Sequence, residues 1–327
     1  MSTMQYRRLG GSGLKLSAFS LGAWITFGTT IGRSEAREVI HRAFSAGINF
    51  FDNAEGYAGG EAERIMGDVL VDLRLPRDAF CVSSKVFFGA VKKPRPTQQG
   101  LSRKHVRDAC DEALRRLRVE YLDLYFAHRP DPDVPVAETA WAMDQLVRAG
   151  KVLYWGTSEW PAEAIEEAHH VCDRHGLVAP VMEQPQYNLL HRERVEREYA
   201  PLYRDHGMGT TIWSPLSSGV LTGKYNDMRP ADSRLTRPGY EWLQRMALGE
   251  PGERTPEKVK RFVAVAGELG HPPHHLALAW CLRNPDVSTV LLGVSRVEQI
   301  DDNLAALPLV DAVSPADWHR IEACFAG

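Results

Sequence analysis

A single α/β barrel of the (β/α)8, or TIM, type is the fold this sequence predicts, and three observations predict it. Short apolar runs alternate with segments of helical periodicity, eight such runs can be counted, and several of them end in a polar side chain. Strict alternation of strand and helix implies a parallel sheet. Eight repeats permit closure, and 327 residues are ample for one such barrel. The rival is an open doubly wound sheet, which usually has fewer strands and a glycine-rich first turn. Here Gly10, Gly11 and Gly13 precede the first strand instead of joining a strand to a helix, so the dinucleotide-fold fingerprint is not met.

In chain order, Lys15–Ser20 alternates as the first strand. Ser34 reads as the cap of a helix with Val39, Ile40, Ala43 and Phe44 on one face, and Gly47 stands where that helix stops. Ile48–Phe51 is a compact apolar run ending at Asp52. Glu61–Asp72 places Ile65, Met66, Val69 and Leu70 together as the next helix. Phe80–Ser83 is the third strand, ending near Lys85. Ser102 caps a helix whose Val106, Ala109, Cys110, Ala113, Leu114 and Leu117 face inward. Leu122–Ala127 runs to His128, Trp141–Leu146 is helical, and Val152–Trp155 leads into Gly156-Thr157-Ser158. Pro161 opens the following helix and Gly176 lies past its end. Val181-Met182 precedes Glu183-Gln184, a helix covers Arg192–Asp205, and Thr210–Trp213 is the seventh strand. Thr255-Pro256 starts a helix to about Leu269, Pro272-Pro273 another to about Arg283, and Thr289–Leu292 is the last strand. The stretch Ser217–Arg254, rich in Gly, Pro and Arg, reads as a long loop or lid.

Composition narrows the function. Hydrophobic residues at 44% and charged residues at 25% are those of an ordinary globular chain. A formal net charge of −3 points to neither nucleic acid nor a membrane surface as partner. No apolar run of about 18 residues is present to span a bilayer, and the segment Met1–Gly11 lacks the apolar core of a signal peptide. Five scattered cysteines without a C-x-x-C pair read as reduced thiols, so a cytoplasmic location is expected.

In a βα barrel the active site lies at the C-terminal ends of the strands. There the sequence places Trp24, Asp52, Lys85, His128, Ser158, Gln184 and Trp213, with Tyr57 just beyond Asp52. A tyrosine hydroxyl, with an ordinary pKa of about 10, shuttles protons poorly at neutral pH. A nearby ammonium would lower it, an aspartate would hold that ammonium charged and aimed, and a histidine could donate a hydrogen bond to a substrate carbonyl. The set suits carbonyl reduction, and because no side chain supplies a hydride a cofactor is required. Taken singly, Asp52 reads equally as a turn cap, Tyr57 as a packed loop aromatic, Lys85 as a solvated lysine and His128 as a satisfied loop histidine. Their joint occurrence at three strand ends favours chemistry.

The tract Phe51-Asp52-Asn53-Ala54-Glu55-Gly56-Tyr57, together with Ser84-Lys85 and Ala127-His128-Arg129-Pro130, resembles the D-x-A-x-x-Y, lysine and histidine motifs of the aldo-keto reductase superfamily. Gly100–His105, Tyr154–Ser158, Trp213–Leu216, Gly239–Leu243 and Ala279–Asn284 are similar to the branch that contains voltage-gated potassium channel β subunits. The resemblance implies an NADPH-dependent reductase of aldehydes or ketones, with Tyr57 as general acid, Lys85 and Asp52 tuning it and His128 orienting the carbonyl. It implies that Trp213 stacks on the nicotinamide, beside Trp24 and Asp52, and that Ser158 and Gln184 bind the carboxamide. Ser214, Pro215, Leu216, Ser217 and Ser218 would run under the pyrophosphate, with Lys224 and Arg234 as phosphate cations. Gly293, Ser295, Gln299, Asp302 and Asn303 would form the adenosine site. The branch also implies a homo-oligomer, a tetramer or larger.

Two departures stand out. Mammalian channel-binding β subunits carry asparagine where this chain has His128, which favours an enzyme over a nicotinamide-binding regulatory subunit of a channel, the competing reading. Glu159 stands where the branch typically has arginine, so it is expected to remove a cation from the cofactor cleft. Trp24, Ile25, Tyr57, Phe87, Phe88, His128, Arg129 and Trp160, with the loop near Tyr240 and Trp242, are the expected substrate surroundings, suited to a small-molecule carbonyl compound. Arg129 would either attract an acidic substrate or pair with Asp131 or Asp133.

Overall fold

The computed structural model describes residues 4–226, 233–237, 239–248 and 255–326, the side chain of Arg234 excepted. The strands are β1 (Tyr6–Arg8), β2 (Lys15–Ser17), β3 (Phe19–Gly22), β4 (Phe50–Asp52), β5 (Cys81–Val86), β6 (Leu122–Ala127), β7 (Val152–Thr157), β8 (Met182–Glu183), β9 (Gly209–Ile212) and β10 (Val287–Leu292). The helices are α1 (Arg33–Ser45), α2 (Glu61–Leu73), α3 (Arg103–Leu117), α4 (Val136–Arg148), α5 (Ala162–His175), α6 (Ala200–His206), α7 (Glu241–Leu248), α8 (Thr255–Glu268), α9 (Pro273–Arg283), α10 (Glu298–Leu304), α11 (Leu309–Ala312) and α12 (Pro315–Ala323). Strands β3 to β10 pair in parallel and close into a barrel when β10 meets β3. The protein is therefore a (β/α)8 barrel, as its alternating pattern predicts.

The barrel strands are buried on both faces, which is why they read as continuous apolar runs. Phe50, Leu124, Phe126, Met182 and Leu291 form one cluster inside the barrel, with Leu9 and Leu16 joining from the N-terminal hairpin. The alternate residues, such as Phe51 and Tyr125, belong to the larger cluster shared with the helices. Tyr125 donates its hydroxyl to the carbonyl of Val106 on α3, fixing its outward direction. At Gly156 of β7 an added Cβ would lie 2.1 Å from the Met182 carbonyl oxygen. Only glycine lets β8 approach so closely there.

Several local expectations change. The run Lys15–Ser20 divides at Ala18. Its first half pairs antiparallel with Tyr6–Arg8, and only Phe19–Gly22 enters the barrel. Gly10 packs against Gly207–Gly209 at the start of β9, so this hairpin covers the N-terminal end of the barrel, opposite the strand ends that carry Asp52 and His128. The cap of α1 is Gly32, not Ser34, and the Glu35 carboxylate accepts the Gly32 amide at 3.2 Å. Ser102 does cap α3, accepting from the His105 amide. Pro161 lies one residue ahead of α5, at its cap. Arg192–Asp205 is not one helix: a π-turn over Arg194–Glu198 is followed by α6, where Pro201 cannot donate to the preceding turn.

Within Ser217–Arg254 the described residues are partly helical. Ser217–Thr222 is a pair of tight turns kinked at left-handed Ser218 and Gly219, a short helical turn covers Arg234–Thr236, and α7 buries Leu243 and Ala247 one helical turn apart. Positions 227–232, 238 and 249–254 of that stretch lie outside the described residues. All five cysteines are buried and free. Among the described residues, no helix is long and apolar enough to cross a membrane.

Candidate active site

Parallel strands bring their C-terminal residues to one rim. Asp52 ends β4, Lys85 is the penultimate residue of β5, His128 follows β6 and Ser158 follows β7. Lys85 is fully buried, and its Nζ lies 2.7 Å from Asp52 Oδ2, 2.8 Å from the Asn53 carbonyl oxygen and 3.1 Å from Tyr57 Oη. The other Asp52 oxygen accepts from Ser83 Oγ at 2.8 Å and Gln184 Nε2 at 3.1 Å. A buried ion pair is retained at low cost only when its remaining donors and acceptors are satisfied, and every oxygen of Asp52 has such a partner.

The proton energetics of this cluster differ in one respect from expectation. Burial pushes the Tyr57 hydroxyl above its ordinary value, and the nearby Lys85 ammonium opposes this without overcoming it. Tyr57 therefore holds its proton at neutral pH. Burial disfavours the Lys85 ammonium, but Asp52 and Tyr57 outweigh it and hold the lysine above its ordinary value. Burial, then Lys85 and Arg129, push His128 well below its ordinary value, so its imidazole is neutral. His128 Nδ1 is buried without a partner. The His128 ring stands edge-on to Tyr57 at 5.9 Å and to Phe88 at 5.1 Å between centroids.

These groups open onto a cavity of about 750 Å³. Asp52, Tyr57, Phe88, His128 and Arg129 line one end, with Trp24, Ser158, Gln184 and Trp213 beside them. Ser214, Pro215, Leu216, Ser218 and Lys224 line the wall after β9, and Gly293, Ser295, Gln299 and Asn303 the wall after β10. Lys85 stands behind Asp52 and Tyr57. Ser217 does not line the cavity; its hydroxyl is buried against the Ala247 carbonyl. Trp160 is 2% exposed and belongs to the core, where its carbonyl accepts from Tyr199. Ile25, Phe87 and Tyr240 do not line the cavity either, whereas Trp242 does. The side chain of Arg234 lies outside the described residues. Asp302 faces away from the cavity, toward His274 and His275 of α9. Arg129 pairs with neither Asp131 nor Asp133. It donates to the His128 carbonyl and to Ser158 Oγ.

Glu159 is also placed otherwise than expected. Its Oε1 accepts from Trp213 Nε1 at 2.9 Å and from the Gln186 amide at 2.6 Å, and its Oε2 pairs with Arg194 at 2.6 Å. The carboxylate thus holds the Trp213 indole, and Glu159 itself does not line the cavity. Sequence reasoning missed further residues. Glu55 receives the amides of Phe87 and Gly89 and contacts His105 Nε2, tying the Tyr57 loop to the Phe88 loop. Arg296 and Arg237 line the cavity, and Arg237 donates to Thr30 across it. Of these, Arg296 was not missed: the sequence offers it equally as a cation for the adenosine end or as an exposed bystander at a helix start, and it lines the cavity; Arg237 sits in the Arg-rich stretch and carried no signal.

Beside Glu159, burial pushes the Glu183 carboxyl up to about 8 from 4.5; Thr157 lowers it and Glu159 raises it. Between those two values the folded chain keeps a proton that the unfolded chain releases, so folding stability falls as pH rises through that window. Glu183→Gln removes this contribution. Thermal unfolding of the variant should depend less on pH between about 5 and 8 than that of the unmodified chain; parallel pH profiles would show that Glu183 is ionised in the fold.

The model of the Aldo/keto reductase family matches residues 18–326. A probable voltage-gated potassium channel subunit beta of Arabidopsis thaliana is 44% identical over 320 residues, 98% of this chain and 96% of that protein. The protein of the same name from Oryza sativa subsp. japonica is 45% identical over 321 residues, again 98% and 96%. A putative voltage-gated potassium channel subunit beta of Schizosaccharomyces pombe is 44% identical over 318 residues, 97% and 92%. Similarity of this extent, lying over a closed barrel whose strand ends carry Asp52, Lys85 and His128 beside Tyr57, makes the chain a member of the aldo/keto reductase family.

Proposed function

We propose that the protein is an NADPH-dependent reductase of aldehydes or ketones, with Tyr57 as the proton donor. The observation that carries this reading is the contact of Lys85 Nζ with both Asp52 and Tyr57 Oη, in a cavity that His128 shares. The rest of the cavity fits a dinucleotide. Ser218 lines it, and the Ser218 Oγ is buried without a partner. Ser217, Ser218 and Gly219 are all left-handed, and an added Cβ at Gly219 would meet Lys224 Nζ at 2.9 Å. Such a turn, with a lysine lying over it, suits a pyrophosphate. Trp213 would pack on the nicotinamide and Ser158 and Gln184 would hold its carboxamide. Arg296, Gln299 and Asn303 would hold the adenosine end, with Arg296 supplying a cation for a 2′-phosphate.

When bound, a reduced nicotinamide supplies the hydride that the carbonyl carbon accepts. Tyr57 gives its proton to the carbonyl oxygen, so the product is the alcohol. The phenolate left on Tyr57 is stabilised by the Lys85 ammonium until solvent returns the proton. Neutral His128 donates a hydrogen bond to the same oxygen, and Trp24, Phe88 and Trp242 give the substrate end an apolar surface.

The names of the relatives favour a second reading, a nicotinamide-binding subunit of a potassium channel. Fluorescence titration with NADPH and NADH, followed by turnover with a panel of aldehydes, separates the two. NADPH binding with turnover supports the reductase. Binding with no turnover across the panel supports the subunit, and no binding of either nucleotide contradicts both.

Glu159 offers a separate test. Glu159→Arg strands the Trp213 indole N–H and sets a cation against Arg194. The donor is part-buried, so leaving it unsatisfied costs at most the roughly 1–3 kcal/mol of a buried one. NADPH and NADH binding should therefore both weaken, about tenfold and to a similar degree. A selective gain for NADPH in the same titration would show that the side chain reaches the phosphates.

A further inference from the structure

Helices α9 and α10 meet on the outside of the barrel, and three ligand-type side chains converge there. His274 and His275 are consecutive near the start of α9, where adjacent side chains on an ideal helix diverge by about 100°. Both nevertheless reach one carboxylate. His274 Nε2 lies 2.8 Å from Asp302 Oδ2, and His275 Nε2 lies 2.9 Å from Asp302 Oδ1. The two rings are 4.3 Å apart between centroids. The three donor atoms all fall within 4.8 Å of one another.

We propose that His274, His275 and Asp302 form a binding site for a divalent cation of the Zn²⁺ class that ties α9 to α10. Two imidazole nitrogens and a carboxylate oxygen are a donor set suited to such borderline ions, whereas magnesium and calcium prefer all-oxygen shells. Zinc takes these donors at about 2.0–2.2 Å, which spaces tetrahedral ligands roughly 3.3–3.5 Å apart. The donor atoms now lie within 4.8 Å of one another, so binding requires the imidazole nitrogens to close to that spacing. His275 is buried, His274 is partly so and Asp302 is about half exposed. The buried ligand anchors the site, while the exposed one leaves an entry path and room for a water as fourth ligand.

No lysine or arginine among the described residues pairs with Asp302, whereas its neighbour Asp301 takes Arg42. The alternative is a closed hydrogen-bonded network in which each neutral imidazole donates its Nε2–H to the carboxylate. An ion would displace those two protons.

His274, His275 and Asp302 lie outside the cavity lining. Helix α10 nevertheless presents Gln299 and Asn303 to that cavity, so an ion at Asp302 would brace the helix that forms one of its walls.

The test is isothermal titration of Zn²⁺ into the metal-stripped full chain, with Co²⁺ as a spectroscopic probe of coordination. Saturable binding of a single ion, with visible Co²⁺ absorption that Zn²⁺ abolishes, is expected. The double variant His274→Ala, His275→Ala should lose both signals. Asp302→Asn keeps an acceptor oxygen for one of the two imidazoles and removes the charge. It should weaken Zn²⁺ binding at least tenfold and lose any Zn²⁺-induced rise in Tm, which decides the matter even if the double variant folds poorly. Absence of saturable binding by the unmodified chain would overturn the proposal. So would Zn²⁺ binding that Asp302→Asn and the double variant retain undiminished, since the ion would then sit elsewhere.

Discussion

Tyr57→Phe should reduce the rate of aldehyde reduction at least a hundredfold, the usual scale for a positioned acid, while NADPH binding stays within a few-fold. The substitution deletes one oxygen at the cavity wall and keeps the ring. Lys85 loses its 3.1 Å contact with that oxygen but keeps Asp52 and the Asn53 carbonyl. The buried ion pair survives, so the loss should fall on kcat and leave Tm nearly unchanged. His128 cannot take over the role, because a neutral imidazole whose pKa lies well below its ordinary value is a poor replacement for a protonated phenol at this site. Retained turnover in steady-state assays would remove Tyr57 from the mechanism and leave the ion pair as a structural feature.

Lys85→Met should have the largest effect on stability. It leaves the carboxylate of Asp52, 2% exposed, without its cation. Removing one partner of a buried pair typically costs about 3–5 kcal/mol, a large share of the roughly 5–15 kcal/mol that holds a typical domain folded. Chemical denaturation is the direct measurement. The companion variant Lys85→Met, Asp52→Asn removes the stranded charge and should recover much of the loss, because the amide oxygen that replaces the carboxylate can still accept from Ser83 and Gln184. If the double variant is no more stable than the single one, packing of the lysine stem dominates, and the charge pair contributes little to the fold. Neither variant should reduce aldehydes at a measurable rate.

Much of this architecture is legible in the sequence because parallel barrel strands are buried on both faces. Each reads as an apolar run, and the polar residue that ends it marks the rim. What stays hidden depends on contacts between distant segments. The N-terminal hairpin is masked because Lys15–Ser20 is continuous in pattern and its partner Tyr6–Arg8 is short and polar. Helix α7 lies in a stretch dominated by Gly, Pro and Arg, where only the Leu243 and Ala247 spacing signals a buried face.

The site shows the same division. Asp52, Tyr57, Lys85 and His128 can be found from their positions after apolar runs. The environment that raises the Tyr57 hydroxyl cannot, since the balance between burial and Lys85 is set by packing. Glu159 looks like a missing cation until Arg194, far along the chain, is seen to share it with Trp213. Asp302 shares a helix with Gln299 and Asn303, yet His274 and His275 turn it outward. Trp160 reads as a pocket aromatic and is core, because sequence does not distinguish an aromatic that borders a cavity from one packed behind it.

The most direct test of the central claim is transfer of the label from NADPH deuterated at the transferring carbon of its nicotinamide. The purified protein is incubated with this cofactor and 4-nitrobenzaldehyde, and the alcohol is analysed by mass spectrometry. A reductase built on this site gives alcohol carrying a single deuterium on the former carbonyl carbon, and Tyr57→Phe gives almost none. Unlabelled alcohol, or no alcohol while NADPH binds tightly, would contradict direct hydride transfer in this cavity.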